Sequence, residues 1–217
     1  MCGRYRNKMT YSDLRKLAPF PLVRPEPTQA PNMQPNLDVR PTTQQWVIRT
    51  CDGGAEAVKM RWGLIPFWFK GPTLKDFKLT TFNAKAETVA TAASFKGPFQ
   101  RRRCLVAADG WYEWTGPKGS KQRHLFTPGD GEPLTFAGLW ERWQPAEGDA
   151  IESFTIVTQP AEAPLNAIHD RAPVVIWSED RKRWLHLESD VTDLICAQNP
   201  DRFTVVPVSL DAAAADA

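Results

Sequence analysis

The sequence predicts an α+β fold: a single β-rich domain of antiparallel sheets, barrel- or sandwich-like, with helices at its periphery. Three observations lead there. Short apolar runs of strand length recur through most of the 217 residues. Turn signals rich in Gly, Asp and Pro lie between many of them. Helical periodicity is confined to a few short stretches. The length suits one domain, expected over 1–210, with a low-complexity, frayed tail over 211–217.

Thr10 to Ala18 reads as a short amphipathic helix. Thr10 and Asp13 have capping-box spacing, and Leu14, Leu17 and Ala18 form the apolar stripe. Arg24 to Thr43 is polar and Pro-rich, which predicts an extended surface loop. Trp46 to Thr50 and Ala57 to Trp62 flank Asp52-Gly53-Gly54, a hairpin signal. Cys104 to Ala108 and Trp111 to Thr115 flank Asp109-Gly110, read as a second hairpin. Arg123 to Thr127 and Leu134 to Trp140 flank a third Gly/Pro-rich turn. Phe154 to Thr158, Pro173 to Trp177 and Phe203 to Ser209 complete the strands. Helices are expected at Glu87 to Phe95, Ser178 to Leu187 and Val191 to Gln198.

Several function classes recede at once. The net charge of +2, from 27 basic and 25 acidic residues, makes no general case for nucleic-acid binding. Any basic surface must be local. No run reaches the roughly 20 apolar residues of a membrane span, so no membrane partner is expected. The first residues lack the apolar run of a secretory signal, and cytoplasmic residence is the expectation. Four cysteines without a C-x-x-C pair, and three histidines, argue against a structural zinc site. No G-x-G-x-x-G or Walker sequence supports a nucleotide, and no cofactor is implied. The nine Trp residues read mainly as core, with a few available to stack on bases.

The chemistry begins at Cys2. Cysteine is small enough to permit removal of Met1, which would expose a terminal 1,2-aminothiol. An α-amine has a pKa of about 7.7–8.0, so a useful fraction is neutral near pH 7. Such an amine forms a Schiff base with an aldehyde. The adjacent thiol then closes onto the imine carbon as a thiazolidine. Alternatively, the amine activates its own thiol for acyl transfer. Glu113 sits between aromatics in Gly110-Trp111-Tyr112-Glu113-Trp114. It is either a solvated strand carboxylate or, facing inward, a proton carrier with a raised pKa. His169 precedes an apolar strand, where a structural histidine is the commoner outcome. Asn83 lies between a strand-like run and a predicted helix, where capping competes with a catalytic role.

Five blocks then occur in a family's order. They are Cys2-Gly3-Arg4-Tyr5, Trp62-Gly63-Leu64-Ile65-Pro66, Asn83-Ala84-Lys85-Ala86-Glu87-Thr88, Cys104 through Trp114, and Ile168-His169-Asp170-Arg171-Ala172-Pro173. From Cys2 to about Ser209 the chain resembles the SOS-response-associated peptidase (SRAP) family of abasic site processing proteins. The resemblance implies a SRAP fold and a protein that binds single-stranded DNA at abasic sites. It implies a thiazolidine crosslink through Cys2, with the peptidase name referring to removal of residues before the cysteine. It also implies that Asn83 orients the amine and sugar, that Glu113 shuttles a proton, and that His169 assists sugar-ring opening. Reversal and strand cleavage are side activities of the same imine.

For DNA contacts, Arg4 is expected at a flanking phosphate. Lys85 stands where the family usually has Arg, keeping the charge without the bidentate fork. Lys96 and Arg101-Arg102-Arg103 add local charge, or form a solvated face. Trp62, Trp68 and Trp114 are expected beside bases. Asn32 belongs to a loop, Asn32 to Pro35, that departs from the family's usual Asn-Ile-Ala-Pro. Thr158 is followed by Gln159 where a second Thr is usual. A monomer is expected. Three alternatives remain at this point: an N-terminal-nucleophile glutamine amidotransferase, a Cys-His-Asn protease, and a noncatalytic single-strand binder.

Overall fold

The computed structural model describes residues 2–25, 30–196 and 199–209. Among them the strands form two sheets. In the larger one, strands β4 (Gln44–Cys51), β5 (Gly54–Trp62), β7 (Arg103–Ala108), β10 (Leu134–Trp143) and β11 (Ile151–Pro160) close into a ring. Four of the five junctions are antiparallel. The fifth is a short parallel seam, where Ser153 and Phe154 of β11 pair with Arg61 and Trp62 of β5. Short strands β2 (Leu22–Arg24), β6 (Asn83–Lys85), β12 (Arg171–Pro173) and β13 (Val175–Ile176) extend this barrel. The second sheet runs β14-β9-β8-β1-β3, with β1 (Tyr5–Asn7), β3 (Asn36–Val39), β8 (Gly110–Thr115), β9 (Gln122–Pro128) and β14 (Phe203–Val208). The β-rich α+β class is therefore right, with parallel pairs added where β2 and β6 join.

Period two along the barrel strands feeds two cores. On β7, Cys104, Val106 and Ala108 join Cys2, Tyr5, Met60, Trp62, Trp111 and Phe136 in one cluster. Leu105 and Ala107 face the other way, into a cluster covered by the helices. Both faces are buried, which explains why β7 reads as a continuous apolar run. Helix α1 (Tyr11–Leu17) buries Tyr11, Leu14 and Leu17. Its capping box is as the spacing predicts: Thr10 Oγ1 accepts from the Asp13 N–H at 3.3 Å, and Asp13 Oδ2 accepts from the Thr10 N–H at 3.0 Å. Helix α3 (Arg181–Leu185) packs on β7 and is shorter than the expected Ser178 to Leu187.

Several expectations need correction. The Gly53–Gly54 hairpin forms, but the Asp109-Gly110 turn does not make one. There the chain leaves the barrel at β7 and enters the second sheet at β8. Arg123 to Thr127 and Leu134 to Trp140 likewise sit in different sheets, as β9 and β10. The true hairpin is β8–β9, with Glu113 opposite His124. Gly110 is required by close approach rather than by turn geometry, since a Cβ there would lie 2.5 Å from the Phe126 carbonyl oxygen. The expected loop from Arg24 to Thr43 contains β3. Glu87 to Phe95 forms turns instead of a helix, and helix α2 begins only at Lys96 (Lys96–Arg101). Thr88, Val89 and Thr91 are β-branched and disfavour a helix. The Ala93 carbonyl is also taken by the Trp68 indole N–H. Thr192 to Cys196 is turn, and 197–198 lie outside the described residues, as does the expected frayed tail 211–217. No helix among the described residues is long and apolar enough to cross a membrane.

Trp62 closes the barrel seam. It is fully buried, stacked on Phe154 at 6.4 Å and edge-on to Tyr5 at 5.2 Å. Its indole N–H donates to the Phe82 carbonyl at 2.7 Å. Trp62→Ala is expected to destabilise the fold by about 3–5 kcal/mol, read as a lowered melting temperature. Trp68→Ala, at a partly exposed ring, is expected to change it little.

Candidate active site

The site is assembled by building the N-terminal segment into the second sheet. β1 pairs with β3 on one side (Tyr5 opposite Val39) and with β8 on the other (Tyr5 opposite Trp111). The Tyr112 N–H donates to the Arg4 carbonyl at 2.9 Å. Asp109 grips the strand from below, bonding the Arg6 guanidinium and accepting from the Lys8 N–H at 2.6 Å. Cys2 is thereby fully buried.

Asn83 reaches Cys2 from β6. Its Nδ2 donates to the Cys2 carbonyl at 2.8 Å. β6 is positioned by parallel pairing with β11, Ile156 opposite Asn83. Asn83 is thus a strand residue, and capping a helix is not its role. Glu113 enters from β8 and is also buried. His169 follows a short 3-10 turn (Leu165–Ala167) and precedes β12, which pairs with β11 at Thr158. Its Nε2 lies 3.9 Å from Glu113 Oε2. Four segments far apart in sequence therefore meet at one place. Glu113 and His169, with Gly3, Arg4, Trp114, Gly119 and Lys121, line a cavity of about 680 Å³.

Burial suppresses charge throughout this group. It pushes the Cys2 thiol well above the usual thiol range, with the neighbouring Glu113 charge adding to the effect. The thiol is therefore protonated near neutrality. Burial also lifts the Glu113 carboxyl to about 7, which leaves it able to give or take a proton at that pH. Burial lowers the basicity of His169. The Arg171 N–H donates to His169 Nδ1 at 3.0 Å, while an Asp170 carboxylate oxygen lies 2.9 Å from the same nitrogen. One nitrogen cannot serve both. Asp170 is mostly solvated and the ring is held neutral, so the backbone donor sets the tautomer. The ring proton then sits on Nε2, facing Glu113. Glu113 Oε1 and Asn83 Oδ1 are buried acceptors with no hydrogen-bond partner among the described residues.

The other expected site residues separate into three groups. Arg4 and Trp114 line the cavity, with the guanidinium 5.5 Å from the indole and 3.1 Å from Asp38. Lys85, Lys96 and Trp68 are at the surface away from the cavity wall, and Asn32 lines a separate groove with Thr10, Tyr11 and Arg15. Trp62 and Thr158 are buried, so neither offers a surface to a base or phosphate. They support the pocket from beneath, because Trp62 faces the barrel core and the Thr158 backbone carries β6 and β12. Sequence reasoning missed Glu87 and Arg171. Their carboxylate and guanidinium form a two-pronged pair, and Arg171 Nη2 also donates to the Thr158 carbonyl at 2.6 Å. The pair ties the Asn83 segment to the His169 segment. Both residues lie inside the matching blocks, so the signal was present without a partner assigned. Lys121 and Asp38 carried no sequence signal. Among the described residues no three His, Cys, Asp or Glu side chains are grouped so as to hold a metal ion.

The family model of the SOS response associated peptidase (SRAP) matches residues 1–213. The chain belongs to the SRAP family. It is similar to the abasic site processing protein YoqW of Bacillus subtilis, 31% identical over 204 residues that cover 90% of this chain and 84% of that protein. The abasic site processing protein YedK of Escherichia coli is 33% identical over 189 residues, covering 87% and 81%. The rat protein HMCES, also an abasic site processing protein, is 32% identical over 180 residues, covering 69% of this SRAP chain and 51% of its own length. A crystal structure from Bordetella bronchiseptica matches with a TM-score of 0.80 at 28% identity, covering 96% of this chain and 100% of that one. A Bacteroides thetaiotaomicron structure reaches 0.81 at 21% identity, covering 97% and 93%, a likeness of fold alone.

The raised Glu113 pKa has a consequence for stability. The folded state keeps a proton that the unfolded chain loses above its ordinary value of 4.5. Stability from this group is therefore full below about pH 4.5, falls as pH rises toward 7, and stays lower above it. Glu113→Gln is expected to be more stable than the wild type at pH 8, by up to about 3 kcal/mol, and to lose that advantage at pH 4.5. Melting temperatures of the two proteins at both pH values check this.

Proposed function

We propose that this SRAP protein captures abasic sites in single-stranded DNA through Cys2, after removal of Met1. The observation that carries the reading is that Asn83 holds the buried Cys2 while Glu113 and His169, 3.9 Å apart, line the open cavity beside it together with Gly3. The residue types match the needs of aldehyde capture. An imine forms by losing water, so a group that donates and accepts protons near pH 7 must stand beside the amine. Glu113 is such a group. His169, with its proton on Nε2 beside Glu113, is placed to exchange a proton with the hydroxyl of a ring-opened sugar. Asn83 holds the Cys2 backbone, and its Oδ1 has no partner among the described residues.

A neutral thiol suits the second step. The Cys2 sulfur adds to the imine carbon and its proton passes to the nitrogen, so no long-lived buried thiolate is required. The product shields the lesion. Reversal runs the same steps backward, and β-elimination from the imine competes with ring closure. DNA reaches the cavity along its exposed cations and aromatics: Arg4 and Trp114 at the rim, with Lys85, Lys96, Trp68 and Asn32 further out.

Labelled single-stranded DNA with one abasic site tests this on a denaturing gel, beside intact DNA. The wild type is expected to give a heat-stable, slow-migrating band, and Cys2→Ala none. Absence of the band from protein whose mass shows Met1 removed refutes the proposal and leaves glutamine hydrolysis and peptide cleavage to be assayed. Glu113→Gln is expected to slow band formation by roughly 10²–10⁴-fold. It should also remove an inflection near pH 7 from the initial-rate profile of the wild type.

A further inference from the structure

We propose that Lys121 is a phosphate-holding residue of this pocket, and that the site consequently captures a free aldose phosphate of the 2-deoxyribose 5-phosphate class. This rests on the aldehyde-capture reading and extends it to a substrate with no base and no flanking nucleotide.

The charges around the cavity single out Lys121. Four ionisable side chains line it: Arg4, Glu113, Lys121 and His169. Arg4 has a carboxylate partner, Asp38 at 3.1 Å, which it shares with Arg40, and it lies over the Trp114 ring. His169 and Glu113 are both held toward their neutral forms by burial. Lys121 makes no ion pair among the described residues. It is thus a cation of the lining with no carboxylate partner among the described residues, and its charge is open to an anion that enters the cavity.

Geometry supports the same assignment. Lys121 lies on the turn between β8 and β9, one residue before Gln122. Gly119 of that turn also lines the cavity, and a Cβ there would meet nothing within 4 Å. The four-carbon stem of lysine lets its ammonium follow a phosphate within this open space. Glu113 and Lys121 belong to one hairpin, with Lys121 one residue beyond the last pair of its ladder, Thr115 opposite Gln122. A cavity of about 680 Å³ falls in the range that encloses a whole small ligand. Aldehyde and phosphate belong to one five-carbon unit, so the covalent step needs no contact with a base.

The step balances without an oxidant or reductant. The Cys2 amine nitrogen bonds to the aldehyde carbon and the carbonyl oxygen leaves as water. The sulfur then bonds to the same carbon while the thiol proton moves to nitrogen. The product is protein plus sugar phosphate, less one water.

Intact-mass spectrometry of protein lacking Met1 gives initial rates of adduct formation with 2-deoxyribose 5-phosphate and with 2-deoxyribose. Free cysteine, a 1,2-aminothiol without a pocket, supplies the intrinsic rate ratio of the two sugars. The wild type is expected to prefer the phosphate by roughly tenfold beyond that ratio, the lower range for one hydrogen bond to a charged group. Lys121→Gln is expected to return to the free-cysteine ratio, with an unchanged melting temperature. A wild-type ratio equal to that of free cysteine, or a preference that survives Lys121→Gln, overturns the proposal. An abasic oligonucleotide runs in parallel. If it crosslinks while the sugar phosphate does not, this inference fails and the capture of DNA lesions stands. If neither reacts, both fail.

Discussion

A three-residue strand cannot hold itself in place, and the chemistry of this protein depends on one. β1 has too few residues to be stable alone, so it borrows its ladder from β3 and β8 and its anchoring from Asp109. Tyr5 then locks it by meeting Trp62 and Phe136 edge-on. Cys2 stands three residues before Tyr5, so that placement also positions its thiol. The hydrogen bond from Asn83 to the Cys2 carbonyl removes what freedom remains. Were β1 to fray, the thiol would leave its buried place beside Asn83 together with its backbone.

The second theme is the suppression of charge. A thiol, a carboxyl and an imidazole share one buried region, and burial acts on each toward its neutral form. That arrangement is unfavourable for stability, as buried acceptors without partners always are. It suits a reaction between neutral partners, in which protons must move at every step and no charge should be stranded. Perturbed groups gathered in a cavity are the physical signature of a working site. The Glu87–Arg171 pair keeps the ionised side chains of this neighbourhood engaged with each other, outside the reacting centre.

Local patterns in the chain were legible where a single element decides them. The Thr10–Asp13 capping box, the Gly53–Gly54 hairpin and the apolar run of β7 depend on neighbours in sequence, and all three formed. Asp109-Gly110 has the same composition as a hairpin turn but connects two sheets. Nothing within its own few residues distinguishes those outcomes, since the partner strands β1 and β10 lie far away in the chain. Trp62 shows the same limit for side chains. An aromatic residue before Gly63 reads equally as a surface ring or a core ring, and only closure of the barrel buries it.

The sequence by itself determined the family blocks and the fold class, and it singled out four side chains as candidates. Those follow from residue identity and order, which folding does not change. Only the tertiary structure decided that Cys2, Asn83, Glu113 and His169 meet, and that Glu113 lies inward with its proton held to about 7. It also decided that Arg4 faces Asp38, while Lys121 has no ion-pair partner among the described residues. The reason is physical. Proximity between distant segments, desolvation and charge balance are properties of the surroundings of a residue, and those surroundings exist only once the two sheets have closed around the N-terminal strand.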